Sequence, residues 1–253
     1  QQQQPRPGQR VLFMTRRPDQ RLPEEEQITI VVVDEDTLRL FIRKVYLVAM
    51  IFILATSVTW LAISGAEFPF YPTIPVRYFF WLVPILPLLI LFSCFPQIRY
   101  IFPWNWLITV LIVILFTFAG ACIMDQFHVL NVFIGLGCII MVLAIFYACG
   151  AFCPVAALPG LIAMSCMTCL LFIALIVLMI VLIFIRHPAL GLSLGILFMV
   201  LTVTMILFHS QYIHGRLQIV PLFDGLYCSL LIYIHFTALC IAAKFIVDYM
   251  ENT

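Results

Sequence analysis

"RKVYLVAMIFILATSVTWLAIS", Arg43 to Ser64, sets two cations directly before a long apolar run. A helix needs about 20 apolar residues to cross the hydrocarbon core of a bilayer. Val45–Ser64 meets that length. Arg43 and Lys44, with Arg39 one turn earlier, mark the end that stays in the cytosol.

The rest of the chain repeats the apolar run without the pair of cations. Hydrophobic residues make up 64% of it and charged residues 10%, and mean hydropathy is +1.15. A soluble domain is about half apolar and about a quarter charged, so this composition belongs in a membrane. The charge is uneven: eight of the 13 Lys and Arg and seven of the 12 Asp and Glu fall in residues 1–44. No secretory signal is expected, since the first apolar run of sufficient length begins near Val45.

Seven apolar segments qualify as spans, at about 45–64, 78–95, 106–124, 129–149, 159–185, 188–213 and 226–247. The fold class is therefore all-α integral membrane. Residues 1–34 form a separate tail and 35–253 the membrane domain. The tail, rich in Gln, Pro and charge, is expected to be disordered; "ITIVVV" (Ile28–Val33) has strand propensity without an obvious partner. Asp36 or Thr37 should cap a helix that feeds the first span. Pro84 and Pro87 should kink the second span. Trp104 and Trp106 suit the headgroup level.

The nine cysteines lie in or beside apolar runs, where free Cys acts as a small hydrophobe. No disulfide framework, metal site or cofactor is implied. Neither is an enzyme: the span serines lack a His–Asp constellation, and no phosphate-binding loop or HExxH helix occurs. Nothing basic and aromatic points to nucleic acid. Lipid is the one certain partner class. "PRPGQR" (Pro5–Arg10) gives the tail a weak polyproline-type signal for a protein partner.

Four short stretches carry a resemblance. "RLFIRKVY" (Arg39–Tyr46), "FPWN" (Phe102–Asn105), "SQYIHG" (Ser210–Gly215) and "LIYIHFTAL" (Leu231–Leu239) occur in this order. Together they resemble the transmembrane Bax inhibitor motif family, the lifeguard-type membrane proteins, over about Thr37 to Phe245. The resemblance implies six helices around a central seventh. It implies a pH-sensitive calcium leak through an internal membrane, endoplasmic reticulum or Golgi, tied to calcium homeostasis and suppression of cell death. It also implies a latch: two aspartates, on the sixth and seventh helices, sharing a proton.

This chain departs from that pattern where it matters most. The two acidic positions fall on His209 and His235, beside signature residues Ser210, Gln211, Gly215 and Tyr233. His209 lies about 9 Å from Gly215 along its helix and His235 about 15 Å from Gly225, at 1.5 Å per residue. Similar depths allow the rings to meet. Two imidazoles are neutral at pH 7, with an ordinary pKa of about 6.5, and one can donate to the other. Acid charges both and drives them apart. Calcium prefers oxygen ligands, and the site offers none; Glu67, Asp125 and Asp224 sit at span ends.

Three functions follow as expectations: a pH-responsive leak for calcium or another cation, a non-conducting interaction protein, and a haem protein ligated by His209 and His235 or by His128 and His187. The plain structural alternative is that each span histidine bonds a backbone carbonyl.

Overall fold

A bilayer offers no water to backbone N–H and C=O groups, so apolar runs of this length satisfy them internally as helices. The protein, described here as a computed structural model, follows that rule over residues 9–15, 28–66, 81, 83–124, 127–154, 161–185, 187–217 and 222–251. Residues 67–80, with Glu67 and Arg77, as well as Asp125, Arg186 and most of the tail lie outside the described residues.

The elements run β1 (Gln9–Thr15), β2 (Ile28–Asp34), α1 (Glu35–Gly65), α2 (Ile85–Cys94), α3 (Pro96–Tyr100), α4 (Trp104–Met124), α5 (Val129–Phe152), α6 (Leu161–Phe184), α7 (Pro188–Ile213) and α8 (Gly225–Glu251). Among the described residues five helices are long and apolar enough to cross a membrane: α1, α4, α5, α7 and α8. The protein is membrane-embedded. The other two expected spans hold shorter apolar helices among the described residues, Ile85–Cys94 and, within α6, Cys166–Leu178.

Prolines account for the short α2. Pro84 is its N-cap, and Pro87 falls in the first turn, where a missing N–H breaks no helical bond. Trp81 is also helical and residues 83–84 form a turn before α2, so the prolines stand at a break in the second expected span. Disorder over residues 1–34 also needs correction. Gln9–Thr15 pairs antiparallel with Ile28–Asp34, in register from Gln9 opposite Asp34 to Thr15 opposite Ile28. The strand partner of "ITIVVV" is the segment "QRVLFMT", with an apolar centre at Val11–Met14.

α1 starts two or three residues earlier than the cap signal suggests, with Asp34 as N-cap and Glu35 and Asp36 in the first turn. Acidic groups there favour the positive end of the helix dipole. Its 31 residues join the juxtamembrane stretch and first span in one rod of about 46 Å. Arg43 and Lys44 are exposed. Arg39 is exposed too, 3.5 Å from Glu35, a pair that contributes little.

The chain divides into two compact units: residues 1–135 with 212–233, and residues 136–211 with 234–253. In the first, α1 turns Leu38, Phe41, Val45, Ala49, Phe52, Ile53 and Trp60 inward, one stripe at helical spacing. Its opposite side exposes Leu47, Met50, Ile51, Leu54 and Val58, as a lipid-facing surface would. α1 meets α4 closely. Trp60 donates its indole N–H to the Thr117 carbonyl at 2.8 Å, and its ring fills the space above Gly120. The second unit has an apolar core of Leu175, Leu194 and Leu201 from α6 and α7. There Gly195 lets α7 approach α8: an added Cβ would lie 2.9 Å from the Phe245 Cβ.

A Cβ at Gly120 would overlap the Trp60 ring. Gly120→Ala should therefore lower stability by about 1–3 kcal/mol, read as a fall in the thermal unfolding midpoint in detergent. Trp60→Phe in the same chain should recover part of the loss.

Candidate functional site

α7 carries His209 less than two turns before its end. The chain stops the helix with Gly215, whose φ of 64° is left-handed and suits glycine at the position after a helix. The signature glycine is thus a terminator, with its N–H bonded to the Tyr212 carbonyl at 3.1 Å. α8 brings His235 to the same level from the other direction.

The two imidazoles touch. His209 Nδ1 lies 3.2 Å from His235 Nε2, with ring centroids 5.0 Å apart and planes at 31°. His235 is buried and His209 half-buried. The Phe208 ring flanks His209 edge-on at 5.6 Å. Neither contact between the rings nor the other bond of His235 involves a backbone carbonyl, so the plain alternative does not describe His235.

That other bond reaches a residue the sequence reading missed. The Tyr147 hydroxyl of α5 lies 2.8 Å from His235 Nδ1, and Tyr147 is buried. Its carbonyl accepts the Ser210 hydroxyl at 2.6 Å, on the residue next to His209. Gly150 makes this approach possible, since an added Cβ would stand 2.7 Å from the Ser210 Cβ. Three helices of the second unit thus meet at one polar chain: Tyr147, His235, His209. Gln211, next to Ser210, is buried, with its Nε2 unbonded among the described residues.

The chemistry of the pair follows from proton counting. Two facing nitrogens at 3.2 Å hold one proton between them. A neutral pair supplies it, and so does a singly charged pair. A doubly charged pair places two N–H groups head to head. The bond therefore survives one added proton and fails at the second. Among the described residues no group of three or more His, Cys, Asp or Glu side chains could hold a metal ion.

The other signature residue, Tyr233, acts elsewhere. In the first unit its hydroxyl donates to the Val113 carbonyl at 3.2 Å and meets Thr56 Oγ1 at 3.0 Å. Thr56 in turn bonds Thr117 at 2.9 Å. Phe52 and Phe116 close on the Tyr233 ring edge-on at 6.2 and 6.1 Å. His128 and His187 serve helix starts: each Nδ1 accepts a backbone N–H, from Leu130 at 3.4 Å and from Ala189 at 3.3 Å.

The first unit also contains an ion pair that composition did not reveal. Arg99 of α3 lies 3.3 Å from Asp224, and both side chains are nearly buried. Its guanidinium stacks over the Tyr227 ring at 4.5 Å, and the Tyr227 hydroxyl meets Ser93 at 3.2 Å. Burial pushes the Asp224 carboxyl above its usual range, opposed by Arg99 and by a hydrogen bond from Tyr100. Two lone charges at span ends were the available signal, because a buried Arg needs an acid.

Comparison with known protein families, curated proteins and solved structures returned no match.

Removing Arg99 leaves a buried carboxylate unpaired, which costs about 3 kcal/mol at neutral pH. Asp224 already binds its proton more tightly folded than unfolded, and loss of Arg99 strengthens that preference. The sign is then fixed: the folded state gains stability as pH falls through the raised pKa. Arg99→Met should be strongly destabilised at pH 8 and recover toward wild type in acid, as followed by thermal unfolding across pH.

Proposed function

We propose that this chain is a divergent member of the transmembrane Bax inhibitor motif family. It acts as a pH-responsive ion leak in an internal membrane, endoplasmic reticulum or Golgi, and through it on calcium homeostasis and cell death. It has seven spans, with α2 and α6 completing the five long ones, and α8 at the centre. The exposed Arg43 and Lys44 before the first span favour a cytosolic N-terminus. α8 is more buried than any of the other four long helices, which supports its central place.

One observation carries the reading. The residues at the two proton-sharing positions, His209 and His235, bond to each other at 3.2 Å. A pair that shares one proton is retained although both acids are gone. Its response to acid is reversed, because a carboxylate pair needs a proton to close, whereas an imidazole pair is broken by excess protons. The altered ligand chemistry argues against an unchanged calcium site.

A second reading, a non-conducting interaction protein, draws on the β1–β2 ladder, which gives the tail a structure that a partner could recognise. The haem reading loses its geometric basis. A haem needs its macrocycle between the two ligating rings, and nitrogens 3.2 Å apart leave no space for it.

Liposomes carrying the purified protein should leak cations faster at pH 5.5 than at pH 7. His209→Asp with His235→Asp should restore calcium sensitivity and reverse the sign of the acid response. Absence of flux at both pH values, in wild type and in the double variant, overturns the leak. Loss of cellular activity on deleting residues 1–34, with the membrane domain still folded, would then favour the interaction protein.

A further inference from the structure

We propose that Tyr147 is a positioning residue for the histidine pair, and that it fixes both imidazoles as the Nε2–H tautomer. The inference deepens the pH-responsive reading above and rests on it for its functional meaning; its structural content stands on the contacts alone.

The direction of the hydrogen bonds follows from donor and acceptor strength. A phenol is a good donor that ionises at about pH 10, and a bare imidazole nitrogen is a strong acceptor. The reverse bond pairs a weaker N–H donor with a poor phenolic acceptor. At 2.8 Å the Tyr147 hydroxyl therefore donates to His235 Nδ1. His235 must then carry its own proton on Nε2, and that proton points at His209 Nδ1, 3.2 Å away. His209 accepts there, so its proton also sits on Nε2. One hydroxyl sets two tautomers in sequence.

Tyr147 is held well enough to do this. It is buried. The Ser210 hydroxyl bonds its carbonyl at 2.6 Å, and Gly150 packs against Ser210, so α5 cannot slide along α7 without losing the bond. Tyr147 from α5 and His209 from α7 are the titratable groups bonded to His235. On α8 itself, Cys240, Lys244 and Asp248 come later in the chain, and the last two are paired at 2.7 Å.

The tautomers determine where acid acts. In the neutral chain both Nδ1 atoms are occupied as acceptors. The first added proton enters at His235 Nδ1, where the hydroxyl turns and accepts in place of donating, and the His–His bond survives. The second can only go to His209 Nδ1, and it breaks that bond. Tyr147 thus separates a harmless protonation from an opening one.

Nitrogen-15 magnetic resonance of histidine-labelled protein in nanodiscs at pH 8 tests this, with His209→Gln and His235→Gln to assign signals. In wild type, His209 and His235 should each show a protonated Nε2 and a bare Nδ1. In Tyr147→Phe, His235 should lose that single pattern and show both tautomers. A wild-type His235 protonated on Nδ1 overturns the proposal, and so does a Tyr147→Phe spectrum unchanged at His235. If Tyr147→Phe does not fold, the wild-type spectrum decides alone. Flux measured on the same samples separates the two ideas: the expected tautomers without acid-dependent flux support the positioning role and overturn the leak.

Discussion

The bilayer interior supplies no hydrogen-bond partners, and the architecture depends on that constraint. Each polar side chain inside a span must find its partner within the protein. The simplest local solution is visible along several helices, where Thr109, Ser193, Thr202 and Thr204 bond the carbonyl one turn back. Such bonds satisfy a hydroxyl without holding helices together. The groups that cannot be satisfied this way, rings and long side chains, are the ones that tie separate helices to each other. Bonds of this kind contribute about 1 kcal/mol each in membranes, yet they select one arrangement of helices over others that bury the same apolar area.

Two such knots differ in kind. In the first unit, Thr56, Thr117 and Tyr233 join α1, α4 and α8 through hydroxyls and the Val113 carbonyl. Those hydroxyls stay neutral throughout the physiological pH range. This knot has one state and suits a fixed frame. In the second unit, Tyr147, His209 and His235 join α5, α7 and α8. Imidazole is the side chain whose charge changes most readily near neutral pH. The same constraint that demands a partner for each ring makes that partnership conditional on protonation.

The legible parts of this molecule were those governed by local rules. Hydropathy located α1, α4, α5, α7 and α8, with the α7 bounds matching the expected 188–213. Depth along the helix allowed His209 and His235 to meet, because rise per residue is a local quantity, but did not show that they do. Long-range partnership was not legible. His235 bonds Tyr147 across 88 residues, and Asp224 finds Arg99 across 125. A tyrosine within an apolar run signals that its hydroxyl needs a partner but not which one. The tail shows the same limit: "ITIVVV" displayed strand character, while its pairing segment lay beyond a proline- and charge-rich stretch. For α2, the prolines marked an interruption, while the exact start of the helix after it is set by the turn at residues 83–84.

Replacing acids by imidazoles at a shared-proton position changes more than the pH at which it responds. A carboxylate pair can offer oxygen ligands to calcium once deprotonated, so its open form is negative and attracts the ion. An imidazole pair is neutral when closed and positive when loaded. Its charged form repels cations, where an ionised carboxylate pair would attract them. A leak through this chain would therefore combine acid opening with an unfavourable local charge for divalent ions. The order in which that charge builds then matters, and Tyr147 sets it by accepting the first proton's N–H while the His209–His235 bond still holds.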